Sequence, residues 1–296
     1  MSGSISCTSR IKPTIIYPML RHTFCHIPQV DIEAEQGLWD AGIVTWNDAF
    51  VHHTKTLPSN ERRSFESHLR KSDAHIENSD ARYFAALLPP KELWRIFPIF
   101  RNATAFLDIE TTGLSYSYDH VTTIVLYDGQ SIRHYVRGKN LAEFRHDILK
   151  FQVLVTYNGK CSDLPFLRNT LGVDIRLPHI DLRYILKDLG YAGGLKKCER
   201  RLGIHRRGME EIDGEFAPLL WRYYRRHSDE RALDTLLAYN TTDVLSLEKL
   251  LVIAYNLKLR KTPFSKGNSV PKPRQPKNPF KVHALTVRRI LHQSNE

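Results

Sequence analysis

Apolar and polar residues alternate in short runs between about positions 103 and 181, and outside that stretch they recur every three to four positions. TAFLDIE, starting at Thr104, alternates as a strand does. VTTIVLYDG and SIRHYVRG follow, and Asp128-Gly129 between them predicts a hairpin. LAEFRHDILKF predicts an amphipathic helix, and VLVTYNG a fourth strand. SDLPFLRNTLG predicts a helix with Pro165 in its first turn and Gly172 at its end, and HIDL a short fifth strand. Mostly helical sequence then runs to about position 257. The order β-β-β-α-β-α-β-α predicts an α/β domain over residues 101–257, a mixed five-stranded sheet flanked by helices.

The flanks read differently. Residues 1–21 predict a flexible arm. Residues 22–100 predict a small helical N-terminal module: one helix carrying Leu38 and Trp39, a turn at Gly42, and a second helix begun by Thr45-Trp46-Asn47. Further helices present Phe65, Leu69, Tyr83, Phe84, Leu93 and Trp94 on an apolar face, broken and restarted at Pro89-Pro90. Residues 258–296 hold ten Lys or Arg, one acidic residue and repeated prolines. That composition predicts a basic, largely disordered tail, closed by a short helix near 281–292.

Composition adds a partner class. Forty-three Lys and Arg against thirty-two Asp and Glu give a net charge of +11 and a pI near 9.5, which points to a polyanion. Cys7, Cys25, Cys161 and Cys198 form no CxxC pair, so free thiols in a reducing compartment are expected. His52-His53 has no further ligand at zinc spacing. The start of the chain does not read as a signal peptide and no run approaches a membrane span, so the expectation is a cytoplasmic protein without a membrane role. No P-loop or dinucleotide fingerprint occurs, so no nucleotide cofactor is expected.

Three local patterns carry chemistry. In Phe106-Leu107-Asp108-Ile109-Glu110-Thr111-Thr112-Gly113-Leu114, residues two apart on a strand share a face, so Asp108 and Glu110 point the same way. Two adjacent carboxylates repel unless a cation lies between them, and hard divalent ions suit oxygen ligands. In the second pattern Asn158-Gly159 follows a strand and Asp163 opens a helix, where it also reads as an ordinary helix cap. In the third, Tyr239 and Asp243 are four apart on a helix and share a face. Asp181 in HIDL is a further acid, better read as a strand-end cap. Lys196, Lys197, Arg200, Arg201, Arg206 and Arg207 form a basic stretch that is either a solvated helix face or a contact for a phosphate backbone.

Together the acid-x-acid with ETTGL, the Asn with a downstream Asp, and Tyr-x-x-x-Asp resemble the DEDD exonucleases, and the tyrosine marks the DEDDy branch. DIETTGL, YNGK with DLPFL, HIDLRY, GGLKKCERRLGI and YNTTDVLSLEKL are similar to the YprB-type ribonuclease-H-like family over roughly residues 100–255. The resemblance implies an RNase H-like fold and a 3′–5′ exonuclease. Two divalent ions, Mg²⁺ or Mn²⁺, would be held by Asp108, Glu110, Asp163 and Asp243. Tyr239 would orient the attacking water. Thr111, Thr112 and Leu114 would hold the terminal nucleotide, and Asn158 would lie beside the strand end. DNA and RNA both remain open as substrates. Relatives that travel with helicases make a helicase a candidate partner. The N-terminal module resembles a helix-hairpin-helix, but Pro28-Gln29-Val30-Asp31-Ile32 lacks the glycine of a phosphate-binding turn, which favours a packing role. The competing readings are a non-catalytic nucleic-acid-binding or helicase-partner module on the same fold, and an endonuclease.

Overall fold

The computed structural model describes residues 18–53, 58–206 and 214–294. Its centre is a five-stranded sheet of order β3-β2-β1-β4-β5. The strands are β1 (Thr104–Thr111), β2 (Val121–Tyr127), β3 (Ile132–Val136), β4 (Val153–Thr156) and β5 (His179–Asp181). β1 pairs antiparallel with β2 and parallel with β4, so the sheet is mixed and β1 is its middle strand. Alternation divides β1 between two cores. Ala105, Leu107 and Ile109 face one, and Phe106 faces the other on the side of Asp108 and Glu110.

The first face is covered by α4 (Asp163–Leu171) and by the run 141–150. That run, read from the sequence as one amphipathic helix, consists of three short helical pieces. Phe144 and Ile148 are buried in it, so the apolar period holds although no piece is longer than four residues. The second face is covered by α8 (Glu230–Leu259), a 30-residue helix buried around most of its circumference. A helix apolar on nearly all sides has to be enclosed, and here α5 (Leu182–Asp188), α6 (Leu195–Arg201) and α7 (Ala217–His227) complete the enclosure. Asp229 caps α8 by accepting the backbone N–H of Arg231.

The N-terminal segment contains α1 (Ile32–Asp40), α2 (Ser59–Glu77), α3 (Ala81–Leu87) and a turn at Trp46–Asp48 closed by a Thr45/Asp48 capping box. Its core is continuous with that of the sheet. Met19, Phe24, Trp46, Phe84 and Trp94 join Phe106, Tyr127, Leu251 and Tyr255 in one apolar cluster. A buried ionic network reinforces the junction. The Glu35 carboxylate accepts the Phe24 and Cys25 backbone N–H groups (2.6 and 3.0 Å) and the Arg95 guanidinium (2.7 and 2.9 Å). Arg95 also donates to Glu92 (2.9 Å), and Lys258 at the end of α8 pairs with Asp188 (2.5 Å) and lies 3.8 Å from Glu92.

Both terminal expectations need correction. Of the predicted arm, residues 1–17 lie outside the described residues, but Met19 and Leu20 are fully buried in a 3₁₀ turn. The predicted disordered tail is an ordered strap over residues 258–294. Phe264 stacks on His22 (ring centroids 4.0 Å apart) and meets Trp39 edge-on (5.1 Å). Val270 exchanges two hydrogen bonds with the Asn256 side chain, Asn278 donates to Ala238 O, and His283 pairs with Asp234. The strap ends in α9 (Ala284–Ser294), whose Val287 and Ile290 pack with Leu220 and Trp221 of α7. Basic, proline-rich composition averages over these few spaced anchors, and prolines suit an extended strap. No helix among the described residues is long and apolar enough to cross a membrane.

Candidate active site

β1 delivers Asp108 and Glu110 to the face covered by α8, and α8 returns Tyr239, Asn240 and Asp243 from above. Carboxylate oxygens of Asp108, Glu110 and Asp243 all lie within 4.8 Å of one another. Asp108 is half-buried, Glu110 and Asp243 are buried, and only oxygen donors are offered. Such a set fits a hard divalent cation. Asp163 is not one of the three that converge. It is buried at the first position of α4, with Ser162 as the cap residue, so the cap reading does not hold for it. Its charge nevertheless raises the proton affinity of Asp108 and Glu110.

The electrostatics are those of an acid cluster awaiting a cation. Burial, then the charges of Asp243 and Asp163, hold Asp108 and Glu110 well above the usual carboxylate range. Burial pushes Asp163 up to about 7, against backbone hydrogen bonds at Asp163 and Ile109. Burial raises Asp243 to about 6 while Arg206 pulls it down. Burial and the neighbouring acids likewise raise the Tyr239 phenol, keeping it protonated. All four acids therefore bind protons more tightly folded than unfolded. The folded protein holds protons that the unfolded chain releases near pH 4, so its stability is greatest at the acid side and falls as pH rises through about 6 and 7. In EDTA the melting temperature is expected to fall by about 5 °C or more between roughly pH 5.5 and 8. Mg²⁺ or Mn²⁺ should flatten the fall, because a cation favours the charged forms. A thermal melt series across pH checks both; a flat metal-free profile contradicts the assignment.

Several polar groups position the cluster. Asn240 donates to Asp108 Oδ2 (2.6 Å) and accepts from the Thr123 hydroxyl (3.1 Å), so β2 fixes the amide that fixes the acid. Sequence reasoning gave Asn240 no role. The structure shows it as a fully buried amide three residues before Asp243 on the same helix. Glu199 was also missed. It holds Arg206 through Nε (2.6 Å) and Nη2 (2.8 Å), while Nη1 of Arg206 donates to Asp243. Lys196, one turn before Glu199 on α6, lies over the Tyr239 ring (4.8 Å). The basic stretch thus divides: Lys196 and Arg206 turn into the site, Arg201 packs over Tyr191, and Arg207 lies outside the described residues.

Thr111, Thr112 and Leu114 lie where β1 passes into the following loop. The Thr111 hydroxyl donates to Gly113 O (2.6 Å) and that of Thr112 to Asp119 (2.8 Å), while Leu114 is 91% exposed. Both threonines therefore brace the loop that presents Leu114. Asn158 follows β4 in the left-handed region at φ 65° and accepts from Arg183. Asp181 serves as the predicted cap: it accepts from Arg183 N at the start of α5, and also from Asn158 N (2.8 Å) and Lys160 N (3.1 Å), so it holds the loop leading to Asp163. A Cβ at Gly159 would collide with the Thr156 side chain. Gly159→Ala is expected to shift the Asp163 loop and reduce any metal-dependent activity by about tenfold or more, since a small misplacement of catalytic groups is costly. Activity and melting temperature of that variant provide the check.

Comparison with known proteins adds the lineage. A family model described as RNase_H superfamily matches residues 105–255, just over half of the chain and all five strands. The chain belongs to the RNase_H superfamily. Members of this superfamily are nucleases that use divalent metals, which agrees with the donor set of the cluster. The chain is also 31% identical over 177 residues to the uncharacterized protein YprB of Bacillus subtilis (strain 168), an alignment covering 51% of this chain and 42% of that protein. The chain thus spans under half of that relative's length. Among solved structures, the family B DNA polymerase of the archaeon Pyrobaculum calidifontis aligns at a TM-score of 0.40 and 18% identity, over 57% of this chain and 27% of the polymerase.

Proposed function

We propose that this RNase_H-superfamily protein is a metal-dependent 3′–5′ exonuclease of the DEDDy type, releasing nucleoside 5′-monophosphates from DNA or RNA. The observation that carries the reading is the convergence of Asp108, Glu110 and Asp243 within 4.8 Å, with Tyr239 one turn before Asp243 on the same helix. Asp108, Glu110, Asp163 and Asp243 would hold two divalent ions, Mg²⁺ or Mn²⁺. When bound, such ions supply Lewis-acid activation of water and charge stabilisation at the leaving oxygen. Tyr239, protonated and fixed in α8, orients the attacking water through its hydroxyl. Asn240 keeps the Asp108 carboxylate turned toward the cluster. Thr111 and Thr112 shape the loop on which Leu114 meets the terminal nucleotide, and Asn158 stands beside it. The net charge of +11 suits capture of a polyanion. The helicase partner expected from the resemblance has no support in the fold or in the relatives.

The deciding test incubates the purified protein with 5′-labelled single-stranded DNA and RNA in Mg²⁺ or Mn²⁺. A ladder shortening from the 3′ end, abolished by EDTA, is the expected result. Internal oligomers would favour an endonuclease, and binding without cleavage in any metal would leave the non-catalytic module. In the same assay Tyr239→Phe is expected to lower kcat by roughly tenfold to a hundredfold with little change in KM, because water orientation acts in the transition state. Equal loss of nucleic-acid affinity would instead make Tyr239 a substrate contact.

A further inference from the structure

The Arg206–Asp243 contact places a permanent cation on a carboxylate that the proposed function assigns to a divalent ion. Arg206 is buried, its side chain only 8% exposed. Two of its nitrogens are taken by Glu199, itself 1% exposed, at 2.6 and 2.8 Å. Only Nη1 reaches Asp243, through Oδ1, and Asp243 is a member of the three-acid cluster. The fork is therefore anchored by one carboxylate and shared with another. The anchor can persist when the shared prong lets go, since Glu199 is not part of the cluster. There is also room for the movement. Arg206 lines a pocket of about 400 Å³ together with His205, Thr242, Ser246, Lys249 and Gln275, and none of the three acids lines it.

We propose that Arg206 is an exchangeable counter-ion for Asp243: it neutralises that carboxylate when no divalent ion is bound, and metal loading and release of the Arg206–Asp243 pair are one coupled event. This rests on the metal reading of the site above. The physical reason is that a carboxylate already neutralised by a guanidinium attracts a hard cation less strongly, and the two cations repel. Without Arg206, the clustered acids would repel one another with Lys196 as the remaining cation that bears on Glu110 among the described residues, an arrangement that resists folding in the charged state. With it, the metal-free protein folds, and the affinity for the ion is lowered by the work of breaking the pair. The site would then load only above a threshold of free metal.

The experiment measures Mn²⁺ binding to metal-stripped full-length protein by isothermal titration calorimetry. Wild type, Arg206→Gln and the double variant Arg206→Gln/Glu199→Gln are compared. The double variant keeps the local formal charge and does not strand a charged Glu199, so it removes the occupant of Asp243 at less cost to the fold than the single variant. Both variants are expected to bind Mn²⁺ about tenfold tighter than wild type, equivalent to about 1.4 kcal/mol. The single variant should melt lower than wild type in EDTA and recover on adding Mn²⁺. An unchanged or weakened Mn²⁺ affinity in the double variant overturns the exchange, and so does the absence of Mn²⁺ binding in every protein. Nuclease assays separate the two readings. Active wild type with unchanged variant affinity removes only the exchange; inactive wild type with tighter-binding variants removes only the exonuclease.

Discussion

Asp108→Ala is expected to reduce turnover in the proposed exonuclease reaction by at least about a thousandfold while leaving the protein folded. Metal-supplied stabilisation amounts to several kcal/mol, and each 1.36 kcal/mol is a factor of ten. Asp108 is the member of the cluster whose removal should perturb it most. It lies on the central strand, its oxygen is fixed by Asn240, and every other acid bears on its proton affinity. The same substitution should raise the melting temperature in EDTA at pH 8, since it removes one repelling charge from a crowded site. Loss of activity together with gain of metal-free stability separates a functional acid from a structural one. A variant that keeps activity, or that loses stability in step with it, would refute the role given to Asp108.

Arg95→Ala is expected to lower stability by about 3–5 kcal/mol, the usual cost of stranding a buried partner. Glu35 is fully buried, and Arg95 is the cation that pairs with it, although two backbone N–H groups also serve it. Chemical denaturation checks the figure. Because the apolar cluster runs unbroken from Met19 to Tyr255, the loss should appear as one cooperative transition at lower denaturant. A separate early transition reporting on Trp39 and Trp46 alone would show that the helical segment unfolds by itself. Replacing Arg95 and Glu35 together by apolar residues of similar size should cost far less, because no charge is left buried alone.

Local periodicity explains what could be read in advance. Strand alternation put Asp108 and Glu110 on one face, and the four-residue helical step put Tyr239 above Asp243, because both are consequences of backbone geometry over a few residues. The five strands and their mixed pairing followed from runs bounded by turns. What escaped is non-local. Nothing near Glu199 indicates that it will grip Arg206 across a loop, and nothing near Asn240 indicates that Thr123 will orient it. Asp163, which locally read as an ordinary helix cap and gained a metal role only through the resemblance, lies beside the trio rather than in it. The strap failed for another reason: Phe264 and Val270 are too few to alter the composition of the segment, but each is buried.

That strap also has a bearing on how the chain is made. Phe264 completes the aromatic pocket around His22 and Trp39, and Tyr255 lies against Trp94. The segment around His22 and Trp39 therefore waits, with apolar surface open, for a residue more than 200 positions further along before its core can close. At a synthesis rate of roughly 5–20 residues per second that interval lasts on the order of ten seconds or more, an invitation to chaperones that the finished fold no longer displays.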